Sequence, residues 1–356
     1  FKAVPGADPG NAVAHFHLGS ALDKRGQFGA AVHAFRAATR VKPKIDLEQD
    51  SATLLSRSAA TLTHDRGPFG PAKKSRLVAL ASLLADDSPS VLAEVRRALE
   101  ASGPESRAVL ERAARTDDAR VRARARAILL ERARRAALHR FARHAARSDL
   151  DLERALFLLA RIHAPDLDPR PYTRALDAMA AEVARRAAKT SGDLERVLVL
   201  SEYLGGELSF GGSRGEFHHP DNIHLHRAIE RRAGVPLTLS AIWVFVGRRA
   251  GIRAAFVPLP GHVMVRLYGS WHSTIVDPYH QGRTRTEAEC KAYLEKHGIR
   301  VTSSSFREAT DATLLRRQVG NLSRSAEIRG FPSEMRAMNT LLSALDPSRI
   351  PGALPG

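Results

Sequence analysis

Between Gly211 and Tyr279 the spacing of apolar residues changes period, and this change constrains the fold more than any other feature of the chain. Over most of the remaining sequence apolar residues recur every three or four positions, as on amphipathic helices. Within the stretch, PLTLSAIWVFVGRRAG reads as a helix with Pro236 in its first turn and Gly251 closing it. Leu239, Ile242, Trp243, Val246 and Ala250 form its apolar side. Three β-like runs come next: IRAAFVPL, HVMVRLY and STIVDPY. Pro260-Gly261 and Tyr268-Gly269-Ser270 turn each into the next. The spacing predicts a helix whose N-terminus faces an antiparallel sheet. A shorter helix precedes it, with Asn222 as the expected N-cap, Arg231-Arg232 in the last turns and Gly234 as its end.

The rest of the chain reads as helix pairs. Over residues 12–43, Leu18-Gly19, Leu22, Gly26, Ala31, Phe35, Ala38 and Pro43 are spaced as two short helices with a turn at Gly26, and this resembles a tetratricopeptide repeat. One such unit cannot bury its own face. Because the sequence opens at Phe1 and not at Met, the expectation is either further repeats before it or packing on the segment C-terminal to it. Gly67-Pro68 and Gly70-Pro71 mark a loop. Residues 76–147 return to helix, with Asp86-Asp87 and Asp117-Asp118 at expected N-caps about one repeat apart, resembling HEAT-type repeats. Arg120, Arg122, Arg124 and Arg126 are expected to spread round a helix and reach solvent on apolar stems. Three helices are expected between Asp149 and Leu204, one helix over 282–298, and an edge strand in IRVTSSSF. Arg25-Gly26 and Pro43 are echoed by Arg329-Gly330 and Pro347 at the same separation, which predicts a degenerate tetratricopeptide-like hairpin. The expected divisions are 1–45, 46–148, 149–305, 306–347 and a disordered tail, 348–356.

Composition excludes more than it assigns. No apolar run of 18 residues exists, so no membrane span is expected, and the opening residues do not read as a signal peptide. The single cysteine, Cys290, rules out an internal disulfide framework and fits a reducing, cytoplasmic compartment. The net charge of +17 admits a nucleic-acid partner working through the Arg-rich helices of 107–147. Only nine of the 55 basic residues are Lys, however, and the arginines are dispersed among Ala and Leu without a reading motif.

Few polar residues are candidates for chemistry. GGELSFGGSRGE has no Lys-Ser or Lys-Thr after its glycines, so it reads as tight turns and close packing, not as a phosphate cradle. His218, His219, His224, His226 and His262 lack HExxH spacing and cysteine partners, so neither a metal nor a cofactor is expected. Cys290 reads as a packing residue within a helix, and Ser240, two residues after Thr238, points elsewhere.

PDNIHLHRAIERRAGVPLTLSAIWVFVGRRAGI, PLPGHVMVRL and VDPYHQGR, in that order, resemble the SirB-type branch of the transglutaminase-like superfamily over about Asp149 to Leu294. The resemblance implies a papain-related core and completes the expected fold class: mainly α with a smaller α+β domain, helical repeats flanking a papain/transglutaminase-like core. It also implies a nucleophile at the start of the helix, a His on the next strand and an Asp on the one after, matched here by Thr238, His262 and Asp277. A thiol at such a helix start is readily ionised; a threonine hydroxyl is not. The leading expectation is a non-catalytic or degenerate domain acting as a protein-interaction or regulatory module, with protein partners held by the helical repeats. The alternative is a peptide or amide hydrolase or acyl-transferase with Thr238 as nucleophile, His262 as base and Asp277 as orienter. A third is a basic, nucleic-acid-binding helical repeat protein.

Overall fold

Leu77, Leu80, Leu84, Val95 and Leu99 recur at helical spacing on consecutive segments, and the structure gathers them into a core. The computed structural model describes residues 71–345 apart from 214, 297 and 300–302, together with positions 18, 22, 30, 33, 34 and 37. The hairpin expected over 12–43, the loop at 67–70 and the tail at 348–356 lie outside the described residues, save those few positions. The chain divides into two compact units, 1–133 and 134–356.

In the first unit, α1 (Pro71–Ser82), α2 (Pro89–Ala101), α3 (Glu105–Ala113) and the first part of α4 (Ala119–Ala145) pack on one another. The two Asp-Asp turns work differently. Asp118 Oδ1 accepts from the backbone N–H groups of Arg120 and Val121, at 2.9 and 3.2 Å, as an N-cap does. Asp86 sits two residues ahead of the cap position, Ser88, and accepts its N–H at 2.8 Å.

Arg120 and Arg126 are exposed as expected, whereas Arg122 and Arg124 are half-buried, and several arginines of α4 bond to the fold. Arg124 donates to the carbonyls of Leu84 and Asp86, Arg122 to Thr116 O at 2.8 Å, and Arg126 to Ala114 O at 3.2 Å. Arg132 donates to the carbonyls of Leu99 and Gly103 and to Ser106 Oγ. The physical reason is that helix ends leave carbonyls without intrahelical donors, and a guanidinium can satisfy several at once.

The second unit holds the period change. α5 (Leu152–His163), α6 (Arg170–Ala187) and α7 (Asp193–Ser201), the last continued by a π-helical turn over Glu202–Glu207, lead to β1 (Gly211–Gly212). Then come α8 (Pro220–Ile223), α9 (Leu225–Arg231), β2 (Ala233–Gly234) and α10 (Pro236–Arg249). β1 and β2 form a short parallel pair. β3 (Arg253–Val257), β4 (Met264–Tyr268), β5 (Ser273–Asp277) and β6 (Arg283–Arg285) form one antiparallel sheet in sequence order. Phe256 pairs with Val265, and Val265 with Val276.

Every residue of α10 from Pro236 to Gly247 is buried. The helix is therefore covered all round, by α6, α9 and the β3–β4 pair, instead of having one apolar side. Three of the four strands answer to the three β-like runs, and the mainly helical chain with its small sheet matches the expected fold class.

Local expectations need four corrections. Asn222 is not a cap: α8 starts after His219, whose Nδ1 accepts from Asp221 N, while Asn222 Nδ2 donates to Glu216 O at 2.7 Å. The preceding helix ends at Arg232, which adopts φ 53°, so Gly234 is left free to pair in β2. The helix expected over 282–298 begins only at Glu287 (α11, Glu287–Lys296), because Arg283–Arg285 is drawn into the sheet as β6. Ser303–Phe306 is a 3-10 turn and not part of an edge strand.

α12 (Asp311–Ile328) and α13 (Pro332–Ala344) form a hairpin linked through Gly330 at φ 73°. Leu314, Leu315, Val319, Met338 and Leu341 join the main core. Among the described residues, no helix is long and apolar enough to cross a membrane.

Candidate functional site

Strand geometry brings two of the three expected residues together. His262 follows the Pro260-Gly261 turn just before β4, and Asp277 ends the neighbouring β5. His262 Nε2 and Asp277 Oδ1 are 2.9 Å apart. The dyad is fixed from both sides. Ser240 Oγ on α10 donates to Val263 O at 2.9 Å, and Arg317 Nη2 on α12 donates to Leu259 O and His262 O at 3.1 and 3.2 Å. Asp277 takes Nε2, so Nδ1 is the ring nitrogen that the carboxylate does not engage.

The turn after Asp277 is over-determined. Asp277 Oδ1 also accepts from the N–H groups of Tyr279 and His280, at 3.1 and 3.4 Å, and Gly282 N donates to Asp277 O at 2.8 Å. Gln281 adopts φ 57°. The Gly-rich segment expected to serve close packing lies against this turn: a Cβ on Gly205 would come within 1.9 Å of Gln281 O, and one on Gly212 within 2.5 Å of the Tyr279 ring. Those two positions admit no side chain.

The turn adds a residue that the sequence reading missed. His280 Nδ1 lies 2.7 Å from Asp277 Oδ2, so one carboxylate serves two imidazoles. Burial is the largest influence on Asp277 and opposes ionisation. The hydrogen bonds and charges of His262 and His280 outweigh it, and the carboxyl is held below its ordinary range. The signal was present in VDPYH, where Asp and His are three residues apart across a Pro-initiated turn.

His262, Asp277 and His280 line a cavity of about 480 Å³ with Pro236, Tyr279, Arg285, Glu289 and Cys290. The Tyr279 ring meets both imidazoles edge-on, with centroids 5.9 and 5.3 Å away. Apolar walls with a few convergent polar groups are the usual make-up of a small-ligand site.

Thr238 does not join the pair. It is the third residue of α10, fully buried, and absent from the cavity lining. Its hydroxyl donates to Ile223 O at 2.9 Å and accepts from Gln318 Nε2 at 2.9 Å. The residue that α10 presents to the cavity is Pro236, at its first position. Nothing local in the sequence announces this, because Gln318 arrives from α12, 80 residues on.

Cys290 packs among Val257, Leu259, Met264 and Leu294, and its Sγ lies 3.6 Å from Met264 Sδ. Burial, followed by the negative charge of Asp277, pushes its thiol up, so it stays protonated. Three further histidines stand apart from the cavity. His163, half-buried, and His224 and His226, both buried, form a row with ring centroids 5.1 and 5.6 Å apart.

Residues 170–320 match the family model described as the transglutaminase-like superfamily. A UPF0162 protein of Xylella fastidiosa is 30% identical over 148 residues, which cover 42% of this chain and 53% of that protein. The F-box only protein 21 of Mus musculus is 28% identical over 127 residues, covering 33% of this chain and 20% of that protein, and its Homo sapiens counterpart is 27% identical over the same length. The chain thus spans about half the length of the Xylella relatives it matches. No solved structure matches it. The helix-on-sheet core and the His262–Asp277 pair both lie inside the stretch, 170–320, that matches the transglutaminase-like superfamily.

Proposed function

We propose that this transglutaminase-like domain, of the SirB type, has no working protein nucleophile and serves as a protein-interaction or regulatory module. The observation that carries this reading is the state of Thr238. Its hydroxyl is sealed in the core by Ile223 O and Gln318 Nε2, and Pro236 occupies the cavity wall where α10 begins. A hydroxyl can attack only from within reach of its base and with a substrate beside it. Thr238 has neither, so the hydrolase or acyl-transferase that uses it loses its first step.

The cavity retains His262, Asp277 and an apolar wall, and these are the parts of a recognition pocket. Protein partners would be held by the flanking helical repeats, with the pocket reading one group of the partner. The nucleic-acid reading is weakened because Arg122, Arg124, Arg126 and Arg132 of α4 donate to carbonyls of their own fold.

The deciding experiment is activity-based labelling and amine-transfer assay of the wild type beside His262→Ala and Thr238→Val. The expectation is no turnover in any of the three. Turnover in the wild type that both substitutions abolish would overturn the proposal.

A further inference from the structure

The second imidazole on Asp277 has no role in orienting His262, and packing does not explain it either, since the His280 side chain is 56% exposed. One ligand atom from each of His262, Asp277 and His280 lies within 4.8 Å of the other two. Two of the separations, 2.9 Å for His262 Nε2 to Asp277 Oδ1 and 2.7 Å for His280 Nδ1 to Asp277 Oδ2, are hydrogen-bond lengths, so side-chain shifts of roughly half an ångström would open them to the spacing of neighbouring ligands around a tetrahedral ion with bonds of about 2.0–2.2 Å.

We propose that His262, Asp277 and His280 bind a divalent first-row transition ion at the mouth of the cavity. Two imidazoles and one carboxylate are a donor set such ions favour, and three protein ligands leave positions open. All three residues line the cavity, so the open positions point to the space a ligand would enter.

The chemistry needs no added reagent. Each ring binds as a neutral imidazole with its proton on the far nitrogen, Nδ1 of His262 and Nε2 of His280. The two ring lone pairs then replace the two contacts now made to Asp277. Asp277 Oδ1 keeps the N–H groups of Tyr279 and His280. No bond is oxidised or reduced.

Preorganisation adds a second, independent line. Asp277 and His280 sit on a turn packed closely against Gly205 and Gly212, with Gln281 and Gly282 at positive φ. A site whose ligands are already held in place gives up little entropy on binding. The sequence spacing alone predicted no metal, because it weighed the five upstream histidines and omitted His280.

The site would bind its ion whether or not it turns over a substrate, so the test is direct binding. The full chain is stripped with chelator and titrated with Zn2+ by calorimetry, then with Co2+ by visible absorption. His280→Ala and His262→Ala are compared with His272→Ala, an exposed histidine outside the cluster. Expected are one equivalent of Zn2+ in the wild type and His272→Ala, a Co2+ absorption band of nitrogen–oxygen coordination, and affinity weakened by about 100-fold in His280→Ala. His280 is exposed enough that its loss leaves the fold intact, which a thermal melt checks, so the outcome does not depend on His262→Ala folding. Absence of stoichiometric Zn2+ in the wild type, or equal affinity in His280→Ala, would overturn the proposal.

Discussion

Thr238 and Gln318 share one acceptor: both donate to the carbonyl of Ile223, and Gln318 Nε2 also donates to Thr238 Oγ1 at 2.9 Å. The hydroxyl is therefore part of a buried knot that ties α10 to α12. Thr238→Val keeps the shape and removes both hydrogen bonds, leaving Gln318 with one partner fewer. A loss of about 1–2 kcal/mol is expected by urea unfolding, with the Zn2+ affinity unchanged. A loss of metal affinity matching that of His280→Ala would place Thr238 in the site after all.

Pro236 and Thr238 differ in where a thiol would emerge. Pro236→Cys puts it at the first position of α10, on the wall of the cavity that His262 also lines, where the helix N-terminus favours the thiolate. Alkylation about 10-fold faster than in Thr238→Cys is expected, with Cys290 replaced by Ala in both backgrounds. Equal rates would show that the start of α10 does not face the cavity.

Gly205 and Gly212 hold the Asp277–His280 turn from beneath. Gly205→Ala drives a methyl group into Gln281 O, with no flexible side chain to yield. Destabilisation of about 2–3 kcal/mol is expected, together with altered imidazole resonances of His262 and His280 in NMR. A neutral substitution would mean that the turn is not clamped.

The histidine row carries a pH signature. Burial, followed by the charges of His163 and His226, holds His224 down to about 3; burial also lowers His163 and His226. In the unfolded chain these rings take up protons near the ordinary value of about 6.5, while the folded chain keeps them neutral. Stability is thus complete above pH 6.5 and declines as pH falls towards the folded value, by up to about 1.4 kcal/mol per pH unit for each proton. His224→Gln should flatten the slope of the unfolding midpoint between pH 7 and 5, and an unchanged slope would refute the assignment.

The three β runs and the helix started by Pro236 were legible in the sequence, because strand alternation and turn residues fix them locally; the pairing of His262 with Asp277 was expected only through the resemblance to the transglutaminase-like superfamily. β6 was not legible, since Arg283–Arg285 has no apolar alternation and is a strand only because β5 offers it an edge. Nor was the burial of Thr238: a position three residues into a helix points to the cavity or to the core according to what packs there, and here that is Gln318 from α12. The arginines of α4 misled for the same reason, since their carbonyl partners lie at least five residues away in sequence.

Arg317 and Gln318 are consecutive residues of α12, and between them they hold the turn that carries His262 and the start of the α10 helix. The C-terminal hairpin is thus a latch and not a trailing flank. A fragment ending before Asp311 would lose its grip on both walls of the cavity in one cut, and any partner that levered α12 outward would spring them together.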